Sequence, residues 1–193
     1  MDEEFPELTS GEEILIGAFN RFMGFFARKL VAQTSNETSR EYPFVAMDTR
    51  QVFQELTLVA KYLQEKKGKD LSCVRFVDVG CGFGNVMLLA EQFGFQVFGI
   101  EKDEASLKVA SEFFHHQQLI KEDLRFFNGY DSFDVVYYFC PLTTGQREFE
   151  ESLEDAISPG TILIANYKRS KAIESDMRFR KLSRQLPVWE KLS

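Results

Sequence analysis

The chain has 193 residues, 44% of them hydrophobic, which suits one domain, or one domain with an extension, around a real core. Its net charge of -7 argues against nucleic acid as a partner, because phosphates call for a basic face. No apolar run approaches the roughly 18 residues of a membrane span, the acidic start Met1-Asp2-Glu3-Glu4 has no signal-peptide pattern, and Cys73, Cys81 and Cys140 show neither disulfide nor zinc spacing, so a reduced, cytoplasmic protein is expected.

In chain order, residues 1–10 read as an acidic arm. Ser10, with Glu13 three places on, forms a capping-box pattern that opens a helix to about Gln33. Ile14, Leu15, Ala18, Phe22, Phe25, Phe26 and Leu30 recur along it at helical spacing, a wide and aromatic stripe. Packing on the domain core, a lid over a substrate and a homodimer surface are the readings open to that stripe. Its basic residues, Arg21, Arg28 and Lys29, are too few for attraction to anionic lipid. Residues 34–43 read as a polar loop in which Pro43 holds Tyr42 extended. Asp48 or Thr49 then caps a helix over about 50–67, with Val52, Phe53, Leu56, Val59, Ala60 and Leu63 on one face.

The stretch from Val74 to Val79 is β-branched and aromatic, as a strand covered on both faces requires. Gly80, Gly82 and Gly84 follow at alternate positions, and a helix begins near Asn85 with its free N–H groups pointing back at the turn. Strand, glycine turn and helix start together make a nucleotide-sized site. The dinucleotide pattern G-x-G-x-x-G would need a glycine where Asn85 stands. Gly94 ends this helix, Phe95 to Ile100 reads as a second strand, and Glu101 at its tip is placed to accept both hydroxyls of a ribose. Asp103 caps a helix from Glu104 to about Phe114. His115 and His116 are the 2 histidines; adjacent residues on a helix face different ways, so no metal site is expected. A third strand follows at Gln118 to Glu122, a fourth at Phe133 to Cys140, an acidic amphipathic helix at Gly145 to Ile157, and a fifth strand at Thr161 to Tyr167. Lys168, Arg169 and Lys171 lie near the rim of the site, and two short strands, within 177–182 and 186–191, close the sheet, with Trp189 packed inside.

Val77-Asp78-Val79-Gly80-Cys81-Gly82-Phe83-Gly84 resembles motif I of the class I S-adenosylmethionine-dependent methyltransferases, with Asp78 as its leading acid. Glu101 matches that family's ribose acid, Lys121-Glu122-Asp123-Leu124 its adenine segment, Phe133 to Phe139 its fourth strand, and Ser158-Pro159-Gly160-Thr161 its turn into the fifth. These matches run in order over roughly residues 72–168. The resemblance implies an α/β, Rossmann-like doubly wound sheet with an N-terminal helical extension, divided as a cap over 1–48 and a cofactor domain over 49–193. It implies cofactor contacts from Asp78, Gly80, Cys81, Gly82, Gly84, Asn85, Glu101, Lys102, Asp123, Leu124, Phe139 and Thr49. Lys102 would lie along the adenine ring, Asp123 and Leu124 would meet its edge, and Phe126 and Phe127 would wall it.

The resemblance also places Tyr138, Phe139 and Cys140, at the end of the fourth strand, near the transferred methyl group. Some lysine-directed members carry an aromatic residue and a Thr before the second helix, and Tyr42, Asp48 and Thr49 stand at comparable positions here. The Asn-Pro-Pro-Tyr motif that marks amide or adenine nitrogen as acceptor is replaced by Phe139-Cys140-Pro141-Leu142, so the acceptor, a protein side chain or a small molecule, is not legible. The implied function is methyl transfer from S-adenosylmethionine by in-line displacement, leaving S-adenosylhomocysteine. The alternatives are a non-catalytic S-adenosylmethionine-binding module, an NAD-dependent oxidoreductase and an aminopropyl transferase.

Overall fold

Seven strands make one sheet: β1 (Arg75–Val79), β2 (Gln96–Glu101), β3 (Leu119–Lys121), β4 (Val135–Phe139), β5 (Ile162–Asn166), β6 (Phe179–Lys181) and β7 (Val188–Lys191). The computed structural model describes residues 8–31, 48–139 and 142–193, and the strands lie in the order β3-β2-β1-β4-β5-β7-β6. The first five in chain order are parallel; β7 runs antiparallel to both β5 and β6. The chain builds outward from β1 to β3, then returns to the far side of β1 with β4. The order reverses between β1 and β4, and open α/β sheets hold ligands at the carboxyl ends of strands at such a point. The expected doubly wound sheet is thus present, with both closing strands.

Alternate residues of each inner strand enter opposite layers. Phe76, Val135, Tyr137, Ile162 and Ile164 meet helices α2 (Thr49–Lys61) and α3 (Asn85–Gln92). Val77, Val79, Val136, Tyr138 and Leu163 meet α5 (Gln146–Ala156). Trp189 is buried in the second layer, as expected. The Lys191 ammonium donates to the carbonyls of Glu154, Asp155 and Ile157 at 2.9, 3.1 and 2.9 Å, closing the end of α5 where orphan carbonyls and the helix dipole favour a cation.

The N-terminal helix α1 (Ser10–Val31) corrects the expected stripe. Ile16 and Met23 are buried, and Met23, Phe19 and Phe26 pack with Phe83, and with Val109 and Phe113 from α4 (Glu104–Ala110) and the turn after it. Ile14, Leu15, Phe22 and Phe25 are exposed. The helix is apolar on two overlapping stripes: Phe26 of the expected stripe stands 5.0 Å from the Phe113 ring and the half-exposed Phe22 5.9 Å from it, while Met23, from the second stripe, is buried beside Phe83. Helix α4 stops at Ala110 rather than Phe114, because the Phe113 and Phe114 N–H groups both turn back to the Ala110 carbonyl. Helix α2 ends at Lys61 and passes into a wider turn, Tyr62–Lys66, in which the Tyr62 hydroxyl donates to the buried Glu190 at 2.9 Å. Cys73 is exposed, in a short helical turn, Leu71–Cys73, that precedes β1. Among the described residues no helix is long and apolar enough to cross a membrane.

Candidate functional site

The glycine turn is tied down from below. The Gly80 and Cys81 N–H groups donate to the Ile100 carbonyl at 2.9 and 3.1 Å, and that of Gly84 donates to the Cys81 carbonyl at 2.9 Å. Gly84 has φ 88°, and a Cβ there would stand 2.5 Å from the Phe114 ring, so conformation and space both exclude a side chain. Under the turn, a Cβ on Gly99 would lie 2.5 Å from both the Cys81 and the Met87 sulfur. Gly84 caps α3 without a side chain, so the first N–H groups of that helix, from Asn85 onward, stay open toward the turn.

Two carboxyls face this turn. Glu101 accepts from the N–H groups of Gly82 at 3.0 Å and of Lys102 and Asp103 at 2.8 Å each. An ionised carboxylate has about four acceptor positions, so one remains for a ligand hydroxyl. Burial raises Glu101 above the usual carboxylate value, and those N–H groups pull it back. Asp78 is 3% exposed; burial, then the Glu101 charge, pushes it up to about 8, with no hydrogen bond or cation of the described residues opposing them. Cys81 is buried as well, and burial with the Asp78 and Glu101 charges pushes its thiol far up, which makes it a packing group rather than a nucleophile.

The remaining expected residues divide. Arg125, by a side-chain hydrogen bond, holds Asp123 down to about 2, and the Lys102 ammonium lies 3.6 Å from the same carboxylate. Leu124 follows directly, its carbonyl accepting from the Tyr130 hydroxyl at 2.8 Å. Phe127 packs on Tyr130 and Phe133, whereas Phe126 is 67% exposed. Thr49 is buried and donates to Asn20, joining α2 to α1, while Asp48 caps α2 through the Arg50 N–H at 2.9 Å. Phe139 ends β4 with its ring 5.0 Å from that of Tyr167. Tyr138 lies in the opposite layer against Phe149, away from the α2 side. Tyr42 and Cys140 fall outside the described residues. Lys168 is not on a basic rim: its ammonium is buried against Glu150 at 3.2 Å and Glu154 at 2.5 Å. Among the described residues no group of His, Cys, Asp and Glu is placed to hold a metal ion.

Sequence reasoning missed a buried polar knot on the α2 side, made by Gln51, Glu55 and Asn166. A signal existed, because Glu55 falls on the apolar face of α2 beside Val52, Leu56 and Val59. Burial pushes Glu55 up to about 7, against the pull of the Asn166 and Gln51 amides.

A family model described as a methyltransferase domain matches residues 76–159, from β1 to the turn before β5. Among solved structures, the plantazolicin methyltransferase BpumL, in complex with a triazolic desmethylPZN analog and SAH, aligns with a TM-score of 0.50 at 20% identity, over 60% of this chain and 46% of that one. CalS10, an amino pentose methyltransferase from Micromonospora echinaspora, aligns with a TM-score of 0.45 at 24% identity, over 59% of this chain and 50% of that one. DesVI of Streptomyces venezuelae gives 0.45 and 20%, over 60% and 50%. The chain spans about half the length of these structures. No curated protein matches the sequence. Residues 76–159 thus resemble a methyltransferase domain, and the sheet around them has the fold that BpumL shares.

Proposed function

We propose that the chain binds S-adenosylmethionine on the Gly80–Gly84 turn and moves its methyl group to an acceptor, leaving S-adenosylhomocysteine. The observation that carries this reading is the pair of buried carboxyls, Asp78 and Glu101, with no cation of the described residues among the groups acting on either. A ligand bearing an ammonium and a sulfonium supplies the missing charge. A dinucleotide brings phosphates, which two buried carboxyls repel, so NAD fits poorly. Glu101 keeps one acceptor position for a ribose hydroxyl, and the open N–H groups at the start of α3 suit the carboxylate of a methionine tail. Lys102, Asp123 and Leu124 stand together along the edge expected for adenine. BpumL, which shares the fold, was solved with SAH.

The bound cofactor supplies an electrophilic methyl group on sulfur. The rest is alignment of an acceptor with that carbon and exclusion of water, which these elements provide at the carboxyl ends of β1 and β4. Residues 49–193 form the binding domain in this reading, and α1 serves as its cap. Calorimetric titration with S-adenosylmethionine, S-adenosylhomocysteine and NAD tests it: the first two bind at micromolar concentration and NAD does not. Absence of binding by the first two refutes it. Release of S-adenosylhomocysteine in the presence of an acceptor separates an enzyme from a non-catalytic module.

A further inference from the structure

Four polar side chains that the cofactor reading does not use meet on the α2 side of the sheet. The Gln51 amide donates to Glu55 at 2.9 Å and to the Asn166 carbonyl oxygen at 2.6 Å, and the Asn166 amide donates to the other Glu55 oxygen at 3.0 Å. Glu55 and Asn166 are fully buried. The Tyr137 hydroxyl, equally buried, has no hydrogen-bond partner although the Asn166 amide is its neighbour, and it feels the charges of both Asp78 and Glu55. Strand register explains the gathering: Asp78 pairs with Tyr137, and Asn166 with Phe139, so the knot continues from the glycine turn across the carboxyl ends of β1, β4 and β5.

Two rings stand at the same strand ends: Phe139 pairs with Asn166, and Tyr167 follows it. Tyr167 has φ 52°, a left-handed backbone that costs a bulky residue energy and that clusters at functional sites. Its ring is 70% exposed and meets the edge of Phe139.

A buried carboxylate held by amides leaves charge unbalanced, and among the described residues no cation acts on Glu55. Amide and phenol oxygens beside aromatic rings suit a group that is positive and rich in N–H donors. Carboxylate and phosphate acceptors would meet repulsion there, and a neutral alcohol would leave the charge as it was. We propose that Gln51, Glu55, Tyr137 and Asn166, beside Phe139 and Tyr167, form the acceptor subsite for an alkyl amine that arrives as its ammonium, with Glu55 as a positioning charge. The assignment rests on the cofactor reading above. The bound ammonium gives one proton to water; its nitrogen lone pair then forms the new N–C bond while the C–S electron pair stays on sulfur.

The test uses the full chain, with and without S-adenosylhomocysteine, and follows binding of n-butylammonium, n-butanol, butyrate and a blocked Ala-Lys-Ala peptide by ligand-observed NMR. The ammonium probes bind and the other two do not. Glu55→Gln and Asn166→Ala, each checked for native circular dichroism, weaken ammonium binding by about tenfold or more and keep S-adenosylhomocysteine affinity within about twofold. Binding of the peptide without butylammonium assigns a protein lysine, and the reverse assigns a small free amine. Failure of both ammonium probes, equal binding of butanol or butyrate, or ammonium binding untouched by both variants overturns the proposal and leaves the knot as a tie between α2 and β5. Failure of S-adenosylhomocysteine to bind the unaltered chain is a failure of the cofactor reading instead, and the titrations without it still decide whether the subsite takes an ammonium.

Discussion

Replacing Asp78 by Asn isolates the titration of the buried carboxyl in the proposed cofactor site. Burial and then Glu101 push this group from 3.8 up to about 8, so across that window the folded protein holds a proton that the unfolded chain has released. The folded state then binds more protons than the unfolded one, and stability falls as pH rises, from the ordinary value up to the raised one. The slope is about 1.4 kcal/mol per pH unit, so this group alone removes on the order of 3 kcal/mol between pH 5 and pH 7. Asn has no proton to lose. Asp78→Asn is therefore expected to abolish that slope and to be more stable than the unaltered chain at pH 7, by at most about 4 kcal/mol. Glu55, raised to about 7, adds a slope of the same sign from about 4.5 upward, and Glu101 and Glu154, both raised by burial, act in the same direction, so part of the decline persists in the single variant and shrinks further when Glu55→Gln is added. Asp123 and Glu190 are held below their ordinary values and act only below about pH 4.5, outside this window. Urea unfolding from about pH 5 to pH 8 measures the effect. An unaltered chain as stable at neutral pH as in mild acid, or an Asn variant with the same slope, refutes the argument.

Glu101→Ala removes one acceptor from the proposed ribose site and releases the N–H groups of Gly82, Lys102 and Asp103; S-adenosylhomocysteine affinity is expected to fall by about 1.5–3 kcal/mol in calorimetry, and unchanged affinity removes Glu101 from the site. Gly99→Ala drives a methyl group against the Cys81 and Met87 sulfurs and is expected to cost about 1–3 kcal/mol, read as a lower urea midpoint. Lys168→Met leaves Glu150 and Glu154 buried without their cation, a loss of about 3–5 kcal/mol at neutral pH; a midpoint equal to that of the unaltered chain would show that the charges are not buried together.

The sheet was legible because each inner strand is an apolar run closed by a glycine or Pro-Gly turn, and because the turn after β1 is a local motif whose parts are contiguous. Asp78, the glycines and Glu101 come together as expected for that reason, since β2 must pair beside β1 once a short helix connects them. The inward face of α1 was not legible, because apolar residues occupy both overlapping stripes and only Phe83, Val109 and Phe113 choose between them. Lys168 looked like a rim residue because its partners, Glu150 and Glu154, come from α5. Of the knot, only Glu55 on the apolar face of α2 was legible: 111 positions separate it from Asn166, and nothing local joins them. In Asp123, the neighbour that matters was only two positions on, yet whether Arg125 folds back onto it depends on the turn that follows β3.

β7 lies inside the sheet although it follows β6 in the chain. During synthesis, therefore, β5 waits with one bare edge until Val188–Lys191 has emerged, and every residue along that edge, Ile162–Asn166, is one that the finished molecule hides from water. An open apolar edge of this kind recruits strands from other nascent chains. The same four residues carry the ammonium that closes α5, so their arrival seals a strand edge and a helix end together. Ribosomes that stall before Val188 would release an aggregation-prone product, and cellular solubility should rise abruptly, rather than gradually, as truncation end points move past this strand.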